Sequence, residues 1–365
     1  MTSAVTARSR TAARSRAFHT LTVADVETLC DDAVAVTFEV PDDLTDEFDF
    51  GPGQSLTLRR TVDGVEHRRT YSICAPAGDA PRVGVRLVSD GLFSTWLVRQ
   101  VRRGDRIDVQ GPSGTFVADP AAGGRHVLVA AGSGITPVLS IASSMLANPD
   151  AEVVLLYGNR RTRSVMFAEE IADLKDRYGA RFEVLHVLSR EPREVELFSG
   201  RLDAQRLRTI FESVLPYREV DHFWLCGPYG MVTDAETVLG DLGVDRSRIH
   251  HELFFVDDVP PPLETHREPG IAGPSSEVTV ILDGRSTTAT LPRDETILDA
   301  AEKYRSDLPF ACKGGVCGTC RAQVTCGDVD MRRNYALEDD EVAAGFVLTC
   351  QTYPVGDAVT VDFDA

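Results

Sequence analysis

Residues 311–320 read Ala-Cys-Lys-Gly-Gly-Val-Cys-Gly-Thr-Cys, placing Cys312, Cys317 and Cys320 at the spacing C-x4-C-x2-C, with Cys350 far downstream. That spacing is the plant-type ligand pattern for a [2Fe-2S] cluster. Glycines let such a loop fold tightly, so that backbone N–H groups reach the sulfurs, stabilise the anionic cluster and tune its potential. A zinc site is the alternative, but zinc knuckles usually pair two C-x2-C units and this loop has one. Cys326 lies outside the pattern, and Cys30 and Cys74 read as small hydrophobes within strands.

Outward from this loop, residues 276–365 read strand, hairpin, strand, a helix from Ile297 to Tyr304, the cysteine loop and further strands, an α+β unit. Before it, residues 258–275 are rich in Pro and Gly with no apolar period and read as a semi-stiff linker. Residues 119–257 alternate apolar strands (HVLVAAG, EVVLLYG, FEVLHVLS, HFWLCGP) with helical stretches at Pro137 to Leu146, Phe167 to Tyr178 and Tyr229 to Leu242. Such alternation predicts a parallel sheet covered on both faces. Residues 18–118 are short β-rich runs separated by turns, with helical spacing only from Phe93 to Val101, and predict a small antiparallel barrel or sandwich.

The chain of 365 residues carries 43% hydrophobic and 26% charged residues, a globular balance suited to several domains. Its net charge of −18 argues against nucleic acid as a partner. No apolar run reaches the length needed to span a bilayer. Residues 1–17 form a basic tail without an apolar stretch; it fails as a secretory signal and leaves a cytoplasmic setting, with a mitochondrial-type presequence as the alternative. Eight cysteines in such a chain point to metal or redox use rather than disulfides.

Two further regions carry chemistry. Gly132-Ser133-Gly134-Ile135-Thr136-Pro137 follows an apolar strand and opens a helix. Glycines there let backbone approach a pyrophosphate, and proline in a first helical turn needs no N–H. The run is not the dinucleotide G-x-G-x-x-G. In the first region, Arg69-Thr70-Tyr71-Ser72 ends a strand, Val85-Arg86-Leu87-Val88 follows, and Gly91-Leu92-Phe93-Ser94 opens a helix whose N–H groups suit a pyrophosphate.

These runs, with Cys226-Gly227-Pro228 and Met231 beyond it, resemble the ferredoxin–NADP reductase superfamily, in which a flavin barrel precedes a nucleotide domain. The resemblance implies an antiparallel β-barrel FAD domain, an α/β NAD(P) domain and a β-grasp-like ferredoxin domain. It implies that Arg69 holds the FAD phosphate, Tyr71 packs on the isoalloxazine and Ser72 lies near flavin N5. Thr70 and Val85 to Val88 would line the flavin site, Gly91 to Ser94 would cradle the pyrophosphate, and Thr136 would touch the flavin edge. Gly132, Ser133, Gly134 and Pro137 belong to the nucleotide loop. Cys226, with Gly227 and Pro228, would lie beside the hydride path; Glu252, in His251-Glu252-Leu253-Phe254, either approaches the nicotinamide or is a surface carboxylate. Ser189-Arg190 resembles the 2′-phosphate clamp of NADPH-using relatives, which favours NADPH over NADH, a solvated basic loop being the alternative.

Domain order excludes benzoate-type reductases, whose ferredoxin comes first; phthalate-dioxygenase-type reductases share the order but usually carry FMN. The stretch RRTYSIC from Arg68, Asn334 to Glu338, and Cys350-Gln351 resemble the reductase subunits of phenylacetyl-coenzyme A ring epoxidase complexes. This implies electron flow from NADPH through FAD and the cluster to a partner di-iron oxygenase. Another hydroxylase, a Rieske oxygenase or a desaturase as acceptor, or a non-catalytic redox sensor, are the rival readings. The acidic run Glu338-Asp339-Asp340-Glu341 suggests electrostatic docking of that partner, a merely solvated acidic face being the alternative.

Overall fold

The computed structural model of the chain describes residues 17–89, 91–254, 275–305 and 307–365; all but the last residue of the expected tail and of the expected linker lie outside them. Strands β1 (Phe18–Cys30), β2 (Ala33–Glu39), β3 (Ser55–Val62), β4 (Val65–Ser72), β5 (Arg82–Arg86) and β6 (Arg106–Ser113) form an antiparallel sheet in the order β4-β3-β6-β1-β2-β5. The β3–β4 hairpin turns at Asp63-Gly64, both at positive φ (51° and 78°), the geometry that matches strand twist in a two-residue hairpin. The sheet curls until its edges approach, with Ile73 bridging Val83. Leu21, Val36, Phe38, Leu56, Leu58 and Val109 fill the interior, and helix α1 (Leu92–Arg99) inserts Phe93 and Leu97 among them.

The second unit runs β7 (Gly124–Ala131), α2 (Ile135–Leu146), β8 (Ala151–Asn159), α3 (Ala168–Tyr178), β9 (Phe182–Leu188), α4 (Ala204–Ser213), β10 (His222–Pro228), α5 (Tyr229–Asp241) and β11 (Ile249–Phe254). Its strands are all parallel, in the order β11-β10-β7-β8-β9. α2 and α3 bury one face around Leu128, Leu155 and Tyr157. α4 and α5 cover the other, around Val127, Phe211 and Phe223. Strand order reverses between β7 and β10, and in open α/β sheets the crevice at that reversal, at the C-terminal strand ends, is where ligands bind. Helix α4 and edge strand β11 were not among the elements expected from the sequence. Asp203 caps α4, its Oδ1 accepting from Arg206 N at 2.9 Å, and Leu207, Ile210 and Phe211 give it one apolar stripe.

The third unit holds β12 (Ser275–Leu282), β13 (Arg285–Pro292), α6 (Ile297–Ala301), β14 (Arg321–Cys326), β15 (Val329–Met331), α7 (Asp339–Ala343), β16 (Phe346–Leu348), β17 (Thr352–Pro354) and β18 (Ala358–Asp362). The main sheet runs β13-β12-β18-β14-β16, with β12 and β18 parallel and the other pairs antiparallel; β15 and β17 form a separate ribbon. Helix α6 lays Ile297, Leu298 and Ala301 on Val280, Leu291 and Val361, so the cysteine loop that follows is anchored to a packed helix. The helix expected to reach Tyr304 ends at Ala301 and continues as turns. Among the described residues no helix is long and apolar enough to cross a membrane.

Candidate functional site

The two glycine-bearing segments expected around a nucleotide meet at the reversal point. Gly132 takes φ 57°, a left-handed conformation that glycine adopts without strain, and its carbonyl accepts from the Tyr157 hydroxyl at 3.0 Å. Gly134 lies so close to the end of β10 that a Cβ there would sit 2.2 Å from the Cys226 carbonyl oxygen. Ser133 and Pro137 flank it, and Thr136 is buried, its hydroxyl donating to the Ser133 carbonyl at 3.0 Å. Gly227 and Pro228 complete β10 against Leu253 and Phe254 of β11.

Ser72, Cys226 and Glu252, 180 residues apart at the extremes, converge beside this loop. The Ser72 hydroxyl donates to Glu252 Oε2 at 2.9 Å, joining the barrel to the parallel sheet. Glu252 stands opposite Cys226 in the β10–β11 register. By surface exposure Glu252 is only half-buried, yet its carboxyl is deep in the cleft: burial raises it to about 7, against the opposing pull of the Ser72 hydrogen bond and of His251. The Cys226 thiol is pushed well above its ordinary value, first by burial and then by the Glu252 charge.

On the barrel, Arg69 is exposed, with Nη1 donating to the Arg68 carbonyl at 2.6 Å. Thr70 meets Thr57 across the hairpin at 3.3 Å. Tyr71 is raised by burial, with its ring 6.2 Å from that of Phe93. On β5, Val85 is buried in the barrel. Arg86 crosses to the parallel sheet, donates to the Ser164 carbonyl, pairs with Asp32 at 3.3 Å and lies against Gly132. Leu87 N donates to the Asp32 carbonyl, and Val88 N to Ser94 Oγ at 3.1 Å. Gly91 is the N-cap of α1, whose first turn holds Leu92, Phe93 and Ser94.

A cavity of about 520 Å³ runs from Arg69 to Cys312, walled also by Arg59, Arg68, Phe310 and Lys313. Glu66 and Glu302 line it too and neutralise Arg59, Arg68 and Lys313, so Arg69 is the cation there without a carboxylate among the described ion pairs and the one suited to a flavin phosphate. The cavity leads from the barrel strand to the cysteine loop. The four expected ligand thiols contact one another in two pairs, Cys312 with Cys317 and Cys320 with Cys350. In each pair one sulfur is held toward thiolate by the other's hydrogen bond, Cys312 and Cys350 below their ordinary value and their partners above it. No three His, Cys, Asp or Glu side chains among the described residues are grouped around one metal ion. Two thiols for each of two irons is the demand of a [2Fe-2S] cluster, and the paired arrangement fits it. Gly314 N donates to Cys312 Sγ at 3.2 Å and Gln351 Nε2 to Cys350 Sγ at 3.7 Å. Cys326 is exposed, Cys74 buried and Cys30 half-buried beside Asp32.

Ser189 and Arg190 follow β9, and their N–H groups donate to the carbonyls of Asn159 and Arg160 at 2.9 and 2.8 Å, which sets the two basic loops side by side. Arg160, Arg161, Arg163 and Arg190 are exposed or nearly so. The intervening carboxylate, Glu191, is occupied by Thr162 N and Oγ1 at 2.9 and 2.7 Å.

The acidic run caps and opens α7, and two of its four side chains pair with arginines elsewhere in the chain. Glu338 takes Arg246 of the parallel-sheet unit at 2.9 Å, and Glu341 takes Arg321 at 3.0 Å. Contacts that sequence reading missed also hold the cysteine loop in place: Tyr335, whose N–H donates to the Gly315 carbonyl, packs edge-on against Tyr229 with centroids 5.6 Å apart. Arg68 is buried against Phe310. No signal in the sequence connects residues so distant.

Three family profiles tile the chain: an oxidoreductase FAD-binding domain over 20–117, an oxidoreductase NAD-binding domain over 128–237 and a 2Fe-2S iron–sulfur cluster binding domain over 280–355. The chain is 43% identical to a subunit of the 1,2-phenylacetyl-CoA epoxidase of Escherichia coli, over 95% of this chain and 98% of that one. It is 35% identical to the ferredoxin reductase component of 3-ketosteroid-9-alpha-monooxygenase of Rhodococcus rhodochrous, over 94% and 96%. The solved phthalate dioxygenase reductase shares the fold, with a TM-score of 0.59 at 23% identity over 95% of this chain and 98% of that one.

Proposed function

The chain belongs to the family of three-domain oxygenase reductases that includes this 1,2-phenylacetyl-CoA epoxidase component, and we propose that within it the protein draws electrons from NADPH for a ring epoxidase acting on phenylacetyl-CoA. It is an NAD(P)H-dependent oxidoreductase that passes electrons through FAD and a [2Fe-2S] cluster to a partner oxygenase. When bound, FAD would supply a two-electron hydride acceptor and the cluster a one-electron carrier.

Around those groups the residues have separable tasks. Arg69 supplies a charge-assisted contact for the flavin phosphate, and the start of α1 offers free N–H groups for the pyrophosphate. Tyr71 presents an aromatic face held by Phe93. Gly132 to Gly134 bring the backbone that would hold the nucleotide against the end of β10 at Cys226. Cys226 remains a neutral thiol there, because burial disfavours a thiolate. Glu252 orients the Ser72 hydroxyl and, near neutral pH, can hold or release a proton at its carboxyl. Cys312, Cys317, Cys320 and Cys350 hold the cluster. Ser189 and Arg190, with the arginines beside them, favour NADPH through its 2′-phosphate. A cytoplasmic setting suits the reduced cysteines and the nucleotide donor.

The observation that carries this reading is the cavity joining Arg69 to Cys312, which gives the strand that would hold the flavin phosphate and the cysteine loop that would hold the cluster a common wall. Anaerobic titration with NADPH and with NADH, followed by visible absorption, tests it. Flavin bleaching followed by cluster bleaching, at lower NADPH than NADH, is expected; no bleaching with either nucleotide would defeat it. Reconstitution with the phenylacetyl-CoA-oxidising oxygenase, set against a steroid or Rieske oxygenase, identifies the acceptor.

A further inference from the structure

Arg68 precedes the expected flavin-phosphate ligand and is only 6% exposed, unusual for an arginine on an edge strand. Its guanidinium lies 5.1 Å from the ring centroid of Phe18 and 4.3 Å from that of Phe310. Nη1 donates to the Leu308 carbonyl at 3.0 Å, while Nε and Nη2 meet Glu66 Oε1 at 2.7 and 2.6 Å. Leu308 and Phe310 are themselves buried, and Phe310 stands two residues before Cys312. Burying a cation is costly unless its donors are satisfied, so this site is built around the guanidinium. It ties β1 and β4 of the barrel to the segment that leads into the cysteine loop.

We propose that Arg68 is the positioning residue for electron transfer between the flavin and the cluster, clamping the Leu308–Phe310 segment to the flavin-holding strand so that Cys312 and Arg69 share one cavity. This rests on the FAD-to-cluster reading above and adds a residue whose guanidinium is engaged by Leu308, Glu66 and the rings of Phe18 and Phe310. The shape of the guanidinium matters as much as its charge. Only a planar fork can lie between two rings while donating sideways to a carbonyl and a carboxylate. Lys313 cannot substitute: its ammonium lies 4.6 Å from the Phe310 centroid, but Asp299 and Glu302, on its own side of the interface, hold it at 2.9 and 2.6 Å.

The test uses the full chain loaded with FAD and cluster, as wild type, Arg68→Met and Arg68→Lys. Stopped-flow mixing with NADPH under anaerobic conditions separates flavin bleaching from cluster bleaching. The flavin phase should stay within about twofold of wild type in both variants. The cluster phase should slow by roughly tenfold or more in Arg68→Met and by less in Arg68→Lys, since a small misplacement of reacting partners is costly. Iron content and the cluster midpoint potential should not change. Hydrogen–deuterium exchange should rise in the peptides covering 17–20 and 307–312, a readout independent of turnover. A wild-type cluster phase in Arg68→Met overturns the proposal, as does a slowing matched by iron loss in both variants. If Arg68→Met does not fold, an unslowed cluster phase in Arg68→Lys overturns it equally. Absence of flavin bleaching in the unaltered protein would overturn the parent reading and this one together, so the two failures are told apart.

Discussion

Replacing Glu252 with glutamine should make the protein more stable above neutrality and leave it unchanged in acid. The carboxyl is raised to about 7 from an ordinary 4.5, chiefly by burial. A carboxyl held above its unfolded value binds its proton more tightly in the folded chain. Between those two pH values the folded state therefore carries more protons, and stability falls as pH rises. The full gap corresponds to about 3 kcal/mol, and because solvent reaches part of the cleft the measurable loss should be about 1–3 kcal/mol. A glutamine at this position would keep an acceptor for the Ser72 hydroxyl without carrying charge. The assay is urea unfolding with FAD saturating, from pH 5 to pH 8, followed by tryptophan emission and circular dichroism. The difference between variant and wild type should grow toward that amount as pH rises to about 7, then level off. A difference that stays flat, or that favours wild type at high pH, would refute a buried carboxyl at this position.

Changing Cys317 to Ser should abolish most of the cluster absorption yet leave FAD bound, because the barrel and the C-terminal sheet have separate cores; iron analysis and flavin fluorescence check this. Combining Ser189→Asp with Arg190→Ala should raise the KM for NADPH roughly tenfold to hundredfold, the loss of a charge-assisted contact of about 1.5–3 kcal/mol, and alter that for NADH little. Equal losses in steady-state kinetics with both nucleotides would remove the 2′-phosphate assignment. Of the acidic run, Asp339 and Asp340 are the pair without an Arg salt bridge among the described ion pairs, so Asp339→Asn with Asp340→Asn should flatten the salt dependence of electron transfer to the oxygenase. A second-order rate with the same salt response as wild type would exclude docking through these two side chains.

What the sequence disclosed was local. The cysteine loop is legible because three ligands fall within nine residues, and the strands of the parallel sheet because apolar runs and helical stretches alternate. Glycines at 132 and 134 announce a close backbone approach before its partner is known, but that partner, the Cys226 carbonyl, is visible only in the fold. Helix α4 escaped because its apolar stripe, Leu207, Ile210 and Phe211, spans little more than one turn among polar residues, although Asp203 offered a cap. Edge strand β11, half-exposed and polar, lacks the continuous apolar run that marks its neighbours. The joints between units were beyond reach: Arg68 and Leu308 are 240 residues apart, Ser72 and Glu252 180. Composition likewise counted Glu338 and Glu341 as free surface charge when each has an arginine.

The two strands that bear the expected flavin residues, β4 and β5, are the free edges of the six-stranded sheet, and Ile73 to Val83 with Cys74 N to the Arg82 carbonyl is what stitches them. A flavin reaching from Arg69 to the start of α1 would lie along that seam and act as its latch. Cofactor loss would then be a structural event, because binding energy that favours only the closed seam disappears with the ligand. A copy of the chain without flavin would open there first and offer its strand edges to proteases, so quality control would remove catalytically useless molecules before they could compete for the oxygenase.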